Sequence, residues 1–130
     1  MAVATNIELP KLIVRRIVDQ SIAIPLGTIM KFTGTNTAAA SAADGDAFAG
    51  ITIEEKTAGD GITEVGCALD GVWMIDTTAA AIAVGTYCSI GGSQTIAISV
   101  GTADLVDGSQ FCRSEMVRDG DNRIRVRLLG

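Results

Sequence analysis

The chain has 130 residues, which is the usual length of one domain with a buried core. Ten Lys and Arg against fifteen Asp and Glu give a net charge of −5, the wrong sign for general binding to nucleic acid or to an anionic membrane. The sequence has no His, which excludes the commonest general base and the usual nitrogen ligand of zinc.

The composition favours β-structure. Apolar residues make up 48% of the chain and aromatic residues 4%, so the core must consist mainly of Val, Ile, Leu and Ala. Short apolar runs alternate with turns rich in Gly and Asp, which is typical of strands. The turns are irregularly spaced, so no internal repeat of fixed period is predicted. We predict a mainly β fold over residues 11–130, a small single-domain β-barrel or β-sandwich of about eight short strands with an extended N-terminal arm.

The N-terminal part is predicted in three pieces. Residues 1–10 are weakly patterned, with Glu8 as the single charged side chain, so we expect a flexible arm. Residues 12–18 predict a strand, and residues 21–33 predict an extended segment in which Pro25 favours an edge or a kink. Residues 34–46 are small and polar and are expected to form a surface loop.

The rest of the chain is predicted as hairpins closed by Gly and Asp turns. The paired strands are expected to be residues 50–56 with 62–69, 86–90 with 94–100, and 110–118 with 121–129. A further strand is predicted over residues 72–75. Residues 77–84 are ambiguous between a loop and a short helix, and residues 101–109 are expected to be a loop.

Every second side chain of the last predicted strand is apolar, and successive side chains of a strand point to opposite faces. The buried face should carry Ile124, Val126 and Leu128, and the opposite face Arg123, Arg125 and Arg127. Arginines two residues apart can together bind an acidic surface. The alternative is a solvated edge strand protected against aggregation.

Few residues suggest chemistry. Cys67, Cys88 and Cys112 lack Cys-x-x-Cys spacing and are expected to be buried thiols in a reducing cytoplasm. Glu54 and Glu55 are adjacent on a predicted strand and should point to opposite faces. We predict no catalytic residues, no metal site and no cofactor. The competing hypothesis, an enzyme that uses paired carboxylates, lacks a paired arrangement.

Charge is uneven along the chain. Residues 44–76 contain eight acids and one lysine, whereas residues 113–130 contain five arginines and three acids. Complementary patches of this kind can join identical subunits in a closed ring, so we predict a homotrimer. The candidate interface residues are Trp73, Arg123, Arg125 and Arg127. The N-terminus lacks the unbroken apolar stretch of a signal peptide, so we expect a soluble product made in the cytoplasm.

Six segments follow one another in a distinctive order from about Glu8 onward: residues 12–18 (LIVRRIV), 25–32 (PLGTIMKF), 45–57 (GDAFAGITIEEKT), 70–73 (DGVW), 84–87 (VGTY) and 124–126 (IRV). In this order they resemble the small capsid decoration, or cement, proteins of tailed bacteriophages. The resemblance implies a β-rich protein, often trimeric, that binds the outside of an icosahedral head and stabilises the shell. It also implies an N-terminal arm that becomes ordered on the major capsid protein.

On this interpretation Val3, Ile7 and Leu9 are the capsid-binding residues of the arm, because they alternate partly in register with an extended strand that can add to a sheet edge. The expected partner is the major capsid protein, without nucleic acid or membrane, and the expected location is the capsid exterior of the virion after synthesis in the host cytoplasm. The alternative is another virion component, a head-fibre base or a tail-associated β domain.

Overall fold

The computed structural model describes residues 3–77, 82–117 and 119–129. The fold over these ranges is mainly β, as predicted, with eleven strands and one short helix. The elements are β1 (Thr5–Glu8), β2 (Ile13–Ile17), β3 (Ile29–Gly34), β4 (Thr37–Ala40), β5 (Phe48–Thr52), β6 (Glu64–Ala68), β7 (Val72–Thr77), β8 (Tyr87–Gly92), β9 (Thr95–Ile98), α1 (Gly101–Asp107), β10 (Gln110–Ser114) and β11 (Arg123–Leu128).

Strands β2 to β6 close into a small barrel, barrel 1, in the order β2-β4-β3-β5-β6. Strand β2 is antiparallel to β6 and parallel to β4, where Ile17 lies opposite Thr37. Small and medium apolar side chains fill the interior, as expected for a barrel of this size. They are Val18, Ile24, Met30, Ala38, Ala49, Val65 and Cys67.

Strands β7 to β11 form barrel 2. Strand β7 is followed by β11, β10, β8 and β9, and β9 returns parallel to β7, where Thr95 lies opposite Asp76. The predicted pairing of the last two strands is confirmed, because β10 and β11 are antiparallel. The predicted apolar face of β11 is also confirmed: Ile124, Val126 and Leu128 are all buried in barrel 2.

The two barrels have the same topology, an internal duplication that the sequence analysis missed. Strands β2 to β6 correspond in order to β7 to β11, and both barrels close through one parallel pair. The registers also correspond: Ile17 lies opposite Glu64 in barrel 1, and the residues 59 positions further on, Asp76 and Arg123, are opposite in barrel 2. The sequence prediction was limited to the absence of a repeat of fixed period, and it did not anticipate this duplication of topology.

Equivalent hydrogen bonds confirm this correspondence. The Thr28 N–H donates to the Thr52 hydroxyl at 2.9 Å, and the Thr86 N–H donates to the Ser114 hydroxyl at 3.0 Å. The glycine before each of these threonines, Gly27 and Gly85, has a φ of +86°. Only glycine adopts this conformation readily, so each barrel needs a glycine at this turn.

The barrels are packed against each other. Phe48 of β5 and Phe111 of β10 stack with their ring centroids 4.2 Å apart. The interior of barrel 2 and a few residues of barrel 1, among them Ile29, Ile51 and Ala68, form one continuous apolar cluster. One buried surface therefore holds the two barrels together.

Two predicted loops contain regular structure. The segment 34–46 includes β4, which pairs with β3 and buries Ala38; tertiary pairing outweighs the low strand propensity of alanine. The segment 101–109 includes α1, whose Asp104 carboxylate accepts the Val100 N–H and the Ser89 hydroxyl. Gly108 ends the helix in the left-handed conformation. Both loop predictions were wrong.

The N-terminal segment, defined here as residues 3–10, was expected to be a flexible arm without partners. In the structure it makes backbone hydrogen bonds to the rest of the chain. Strand β1 pairs antiparallel with β7, with Thr5 opposite Met74, and the Ala4 N–H donates to the Gly27 carbonyl at 2.9 Å. The backbone of the segment is therefore hydrogen-bonded to both barrels.

Strand β10 ends at Ser114, earlier than predicted. Arg118, and residues 78–81 of the ambiguous stretch, lie outside the described residues.

Candidate functional site

The predicted arm residues do not share one environment. Val3 is partly buried, and its carbonyl accepts a hydrogen bond from Arg123 at 3.0 Å. Ile7 is exposed and Leu9 is 85% exposed. The apolar side chains available to a partner are therefore Ile7 and Leu9, whereas Val3 helps to hold the segment in place.

An apolar groove of about 600 Å³ runs beside the N-terminal segment. Its apolar lining consists of Ala4, Leu9, Pro10, Ile13, Leu26, Ile53 and Trp73. Leu9, Ile13 and Leu26 are exposed in this groove. Contiguous exposed apolar surface of this kind often marks a binding site. The sequence analysis did not single out Ile13 or Leu26, because only the fold brings them beside residue 9.

Two of the predicted interface arginines are already neutralised within the chain. Arg127 lies 2.9 Å from Glu115 and 3.1 Å from Glu8. Arg125 lies 3.4 Å from Glu115 and 3.7 Å from Glu8. The hydrogen bonds that Arg127 donates to Glu115 and then to Glu8 raise the pKa of Arg127. The expected row of arginines facing an acidic partner is thus largely an intramolecular network.

The third arginine of the row, Arg123, is a structural link. Its guanidinium lies 3.3 Å from the Asp76 carboxylate and donates to the carbonyls of Val3 and Met74 at 3.0 and 2.7 Å. It therefore ties the N-terminal segment to β7. Loss of this arginine would leave two carbonyl groups without that donor.

Trp73 is a core residue of the isolated chain rather than a surface residue. Its side chain is 2% exposed, and its indole N–H donates to the Asp70 carbonyl at 3.1 Å. Burial of the ring with its polar atom paired is the usual arrangement for tryptophan in a core. Trp73 also contributes to the lining of the apolar groove.

A second concavity, of about 750 Å³, lies on barrel 2. We call it the open face; it is lined by Val84, Gly85, Tyr87, Arg113, Ser114, Glu115, Met116, Arg125, Arg127 and Leu129. The Arg113 guanidinium lies over the Tyr87 ring, 5.5 Å from its centroid, and donates to the Gly85 carbonyl. Arg113 was not singled out from the sequence, although the predicted hairpin of residues 110–118 with 121–129 places it on the strand next to Arg125 and Arg127.

The predicted burial of the thiols is confirmed: Cys67, Cys88 and Cys112 are buried and free. Burial raises the pKa of Cys67 to about 11, which disfavours the reactive thiolate. Within residues 3–77, 82–117 and 119–129, no group of three His, Cys, Asp or Glu side chains could hold a metal ion.

The acids on barrel 1 form an ion-pair cluster. Arg15 lies 2.8 Å from Glu54 and 3.3 Å from Glu64. The hydrogen bonds that Arg15 donates to Glu54 and then to Glu64 raise the pKa of its guanidinium. Glu55, the neighbour in sequence, is exposed. The cluster has the arrangement of a solvated salt-bridge network on the surface of the barrel.

No protein-family model matches the chain, and no curated protein matches it. No helix within the described ranges has the length and apolar character needed to cross a bilayer. The structural features that bear on function are the double barrel, the apolar groove and the open face.

Proposed function

We propose that the chain is a structural protein of a tailed-bacteriophage virion, which binds the outer surface of the icosahedral capsid through the major capsid protein and stabilises the shell. The observation that carries this proposal is the apolar groove beside the N-terminal segment, with Leu9 almost fully exposed at its rim. The order of sequence segments described above supports the same function.

The double barrel suits a shell component. A closed barrel removes the free sheet edges that cause nonspecific aggregation, and the two barrels share one apolar cluster. Binding can therefore be confined to selected surfaces of a rigid body. The net charge of −5 keeps free copies apart in solution before attachment.

The apolar groove supplies the physical basis for attachment. Complete burial of one Leu or Ile side chain contributes about 1.5–3 kcal/mol. Leu9, Ile13 and Leu26 are positioned to be covered together by one apolar element of the capsid protein. The N-terminal segment is already ordered on the sheet, so attachment here costs less conformational entropy than ordering a free arm.

The direct test is cosedimentation of the purified chain with empty heads assembled from the major capsid protein of the phage that carries it. Wild-type protein should bind, and Leu9→Asp should bind about tenfold or more weakly, because a charge would enter the apolar contact. The matched control is Val106→Asp, which changes a similarly exposed side chain on α1. Equal binding of all three proteins would contradict the proposal.

Image reconstruction of decorated heads tests the arrangement. We expect density on the outer capsid surface in groups of three around local symmetry axes, which is the trimer that the resemblance implies. Isolated single copies would contradict the trimer. Copies found on fibres or tails instead would favour the alternative, a head-fibre base or tail-associated domain.

A further inference from the structure

Barrel 1 packs against barrel 2 through one of its surfaces. The duplication identifies the equivalent surface on barrel 2. Ile29, Ile51 and Ala68 of barrel 1 are fully buried in the apolar cluster that joins the barrels. The matching registers pair Ile29 with Ile51 in barrel 1 and Tyr87 with Arg113 in barrel 2. The open face of barrel 2 is therefore the counterpart of a surface that is covered in barrel 1.

Different groups cover the surface in barrel 1. The Gln94 side chain hydrogen-bonds both backbone groups of Ile29, and the extended N-terminal segment donates from Ala4 to the Gly27 carbonyl. At the equivalent glycine of barrel 2, the Gly85 carbonyl accepts the Arg113 Nε–H at 3.0 Å. The Arg113 side chain thus takes the place that Ala4 of the N-terminal segment has at Gly27 in barrel 1.

The chemistry of the open face is cationic and partly apolar. It carries Arg113, Arg125 and Arg127 around Glu115. Because Glu115 and Glu8 pair with Arg125 and Arg127, the positive charge left for a partner is that of Arg113. Among the described residues, Arg113 has no carboxylate within ion-pair distance. Arg125 Nε is buried and lies 3.4 Å from Glu115 without forming a hydrogen bond. Apolar contact is available from the exposed side chains of Val84, Tyr87 and Leu129.

The structure already contains one example of the contact that this chemistry favours. Glu8 belongs to the extended strand β1, and its carboxylate binds Arg127 at 3.1 Å beside Arg125. Arginine binds carboxylates strongly because its planar donors match their geometry. Arg113 remains available for a second carboxylate further along the same face.

We propose that the open face binds an extended acidic segment of a partner protein, much as the N-terminal segment covers the equivalent surface of barrel 1. A carboxylate of that segment pairs with Arg113 beside the network of Arg125 and Arg127, and its apolar atoms pack on Tyr87. This goes beyond capsid attachment through the apolar groove, since it concerns a different set of side chains and a partner of opposite chemistry.

The probe is a fluorescently labelled eight-residue peptide in which Glu alternates with Thr, compared with the same peptide carrying Gln for each Glu. Fluorescence anisotropy with the full chain should show the acidic peptide binding at least tenfold more tightly. Arg113→Gln should weaken its binding at least fivefold, and Arg113→Lys should weaken it less. The control Arg15→Gln changes an exposed arginine on barrel 1 and should leave binding unchanged.

Amide NMR shifts induced by the acidic peptide should be centred on Gly85, Tyr87 and Arg113. Equal binding of the two peptides, no effect of Arg113→Gln, or shifts centred elsewhere would overturn the proposal. Sedimentation velocity without peptide tests whether a second copy of the chain binds the open face instead. A dimer that Arg113→Gln abolishes would assign the open face to a second copy of the chain and would also overturn it.

Discussion

The side chain of Gln94 satisfies both backbone groups of a single residue in the other barrel, Ile29. Its Oε1 accepts the Ile29 N–H at 2.7 Å, and its Nε2 donates to the Ile29 carbonyl at 3.0 Å. Both residues are buried, and buried backbone groups are almost always paired. At the contact between the barrels, Gln94 therefore makes hydrogen bonds of the kind that a neighbouring strand makes.

Gln94→Ala should destabilise the protein by about 1–3 kcal/mol, because the buried Ile29 N–H loses its partner, while the Ile29 carbonyl keeps the Ser41 N–H. Urea unfolding measures this change. Asn36→Ala is the matched control: Asn36 occupies the equivalent turn of barrel 1 and also has a positive φ, but it is exposed. Equal destabilisation by the two variants would show that backbone strain, rather than the Ile29 contact, explains the effect.

Val126→Asp should cost several kcal/mol, since Val126 is fully buried on β11 and the substitution places an unpaired charge in the interior of barrel 2. Thermal unfolding is the measurement. Val117→Asp, at an exposed position, should change stability little. A melting temperature unchanged by Val126→Asp would mean that the faces of β11 are reversed.

Deletion of residues 1–10 should now lower stability, contrary to what a free arm would predict. The truncation removes the pairing of β1 with β7 and buried Ala4, a loss on the order of 2 kcal/mol or more. Leu9→Asp should leave stability nearly unchanged because its side chain is exposed. If chemical denaturation finds the truncated protein as stable as the full chain, the strand does not contribute as the structure indicates.

The helix α1 should respond to acid through Asp104. Hydrogen bonds from the Val100 N–H, and then from the side chains of Ser89 and Ser109, lower the pKa of its carboxyl from the ordinary value of 3.8. This contribution to stability is complete above that value and is lost as pH falls from it through the lower pKa of the folded state.

Asp104→Asn should therefore destabilise the protein by about 1–3 kcal/mol at neutral pH, and the difference from wild type should shrink below about pH 4. Urea titrations at a series of pH values test this. Asp44→Asn, at an exposed acid, serves as the control. A difference between wild type and Asp104→Asn that stays constant down to the lowest pH would contradict the assignment.

The thiols should be inert in the folded state. Cys67, Cys88 and Cys112 are buried. Burial raises the pKa of Cys67 to about 11 and that of Cys112 well above its ordinary value. The hydrogen bond with the Cys112 thiol lowers the pKa of Cys88, so Cys88 is protected by its burial alone. A thiol-reactive chromogen at mildly alkaline pH should modify none of the three in native protein and all of them in guanidinium chloride. Rapid modification of the native protein would show that the barrel interiors open readily.

The sequence predicts an element best where the structure of that element depends on its own local residues. Strand β11 was predictable because Ile124 and Val126 alternate with arginines, and the Asp-Gly turn before it favours a hairpin. Strand β4 and helix α1 were not, since each depends on distant contacts: Ala38 is buried by pairing with β3, and Asp104 is held by Ser89. Their local propensities favour neither structure strongly.

The duplication and the candidate surfaces were hidden for a related reason. The equivalent turns share only a few residues, such as Gly27-Thr28 and Gly85-Thr86, while equivalent core positions differ in size, as Ala38 and Ile96 do. The partners of Arg127 are also distant, because Glu8 lies 119 residues earlier in the chain. Sequence patterns cannot reveal such pairs without the fold.

The position of β1 affects how the molecule would behave if its chain were cut. Strand β1 precedes barrel 1 in sequence but belongs to the sheet of barrel 2, and the link between the barrels at Asp70 and Gly71 is short. Cleavage at this link would leave each fragment dependent on the other, because the first carries a strand of the second sheet. The two fragments should therefore remain associated and reassemble from a mixture, as complementing halves of one protein.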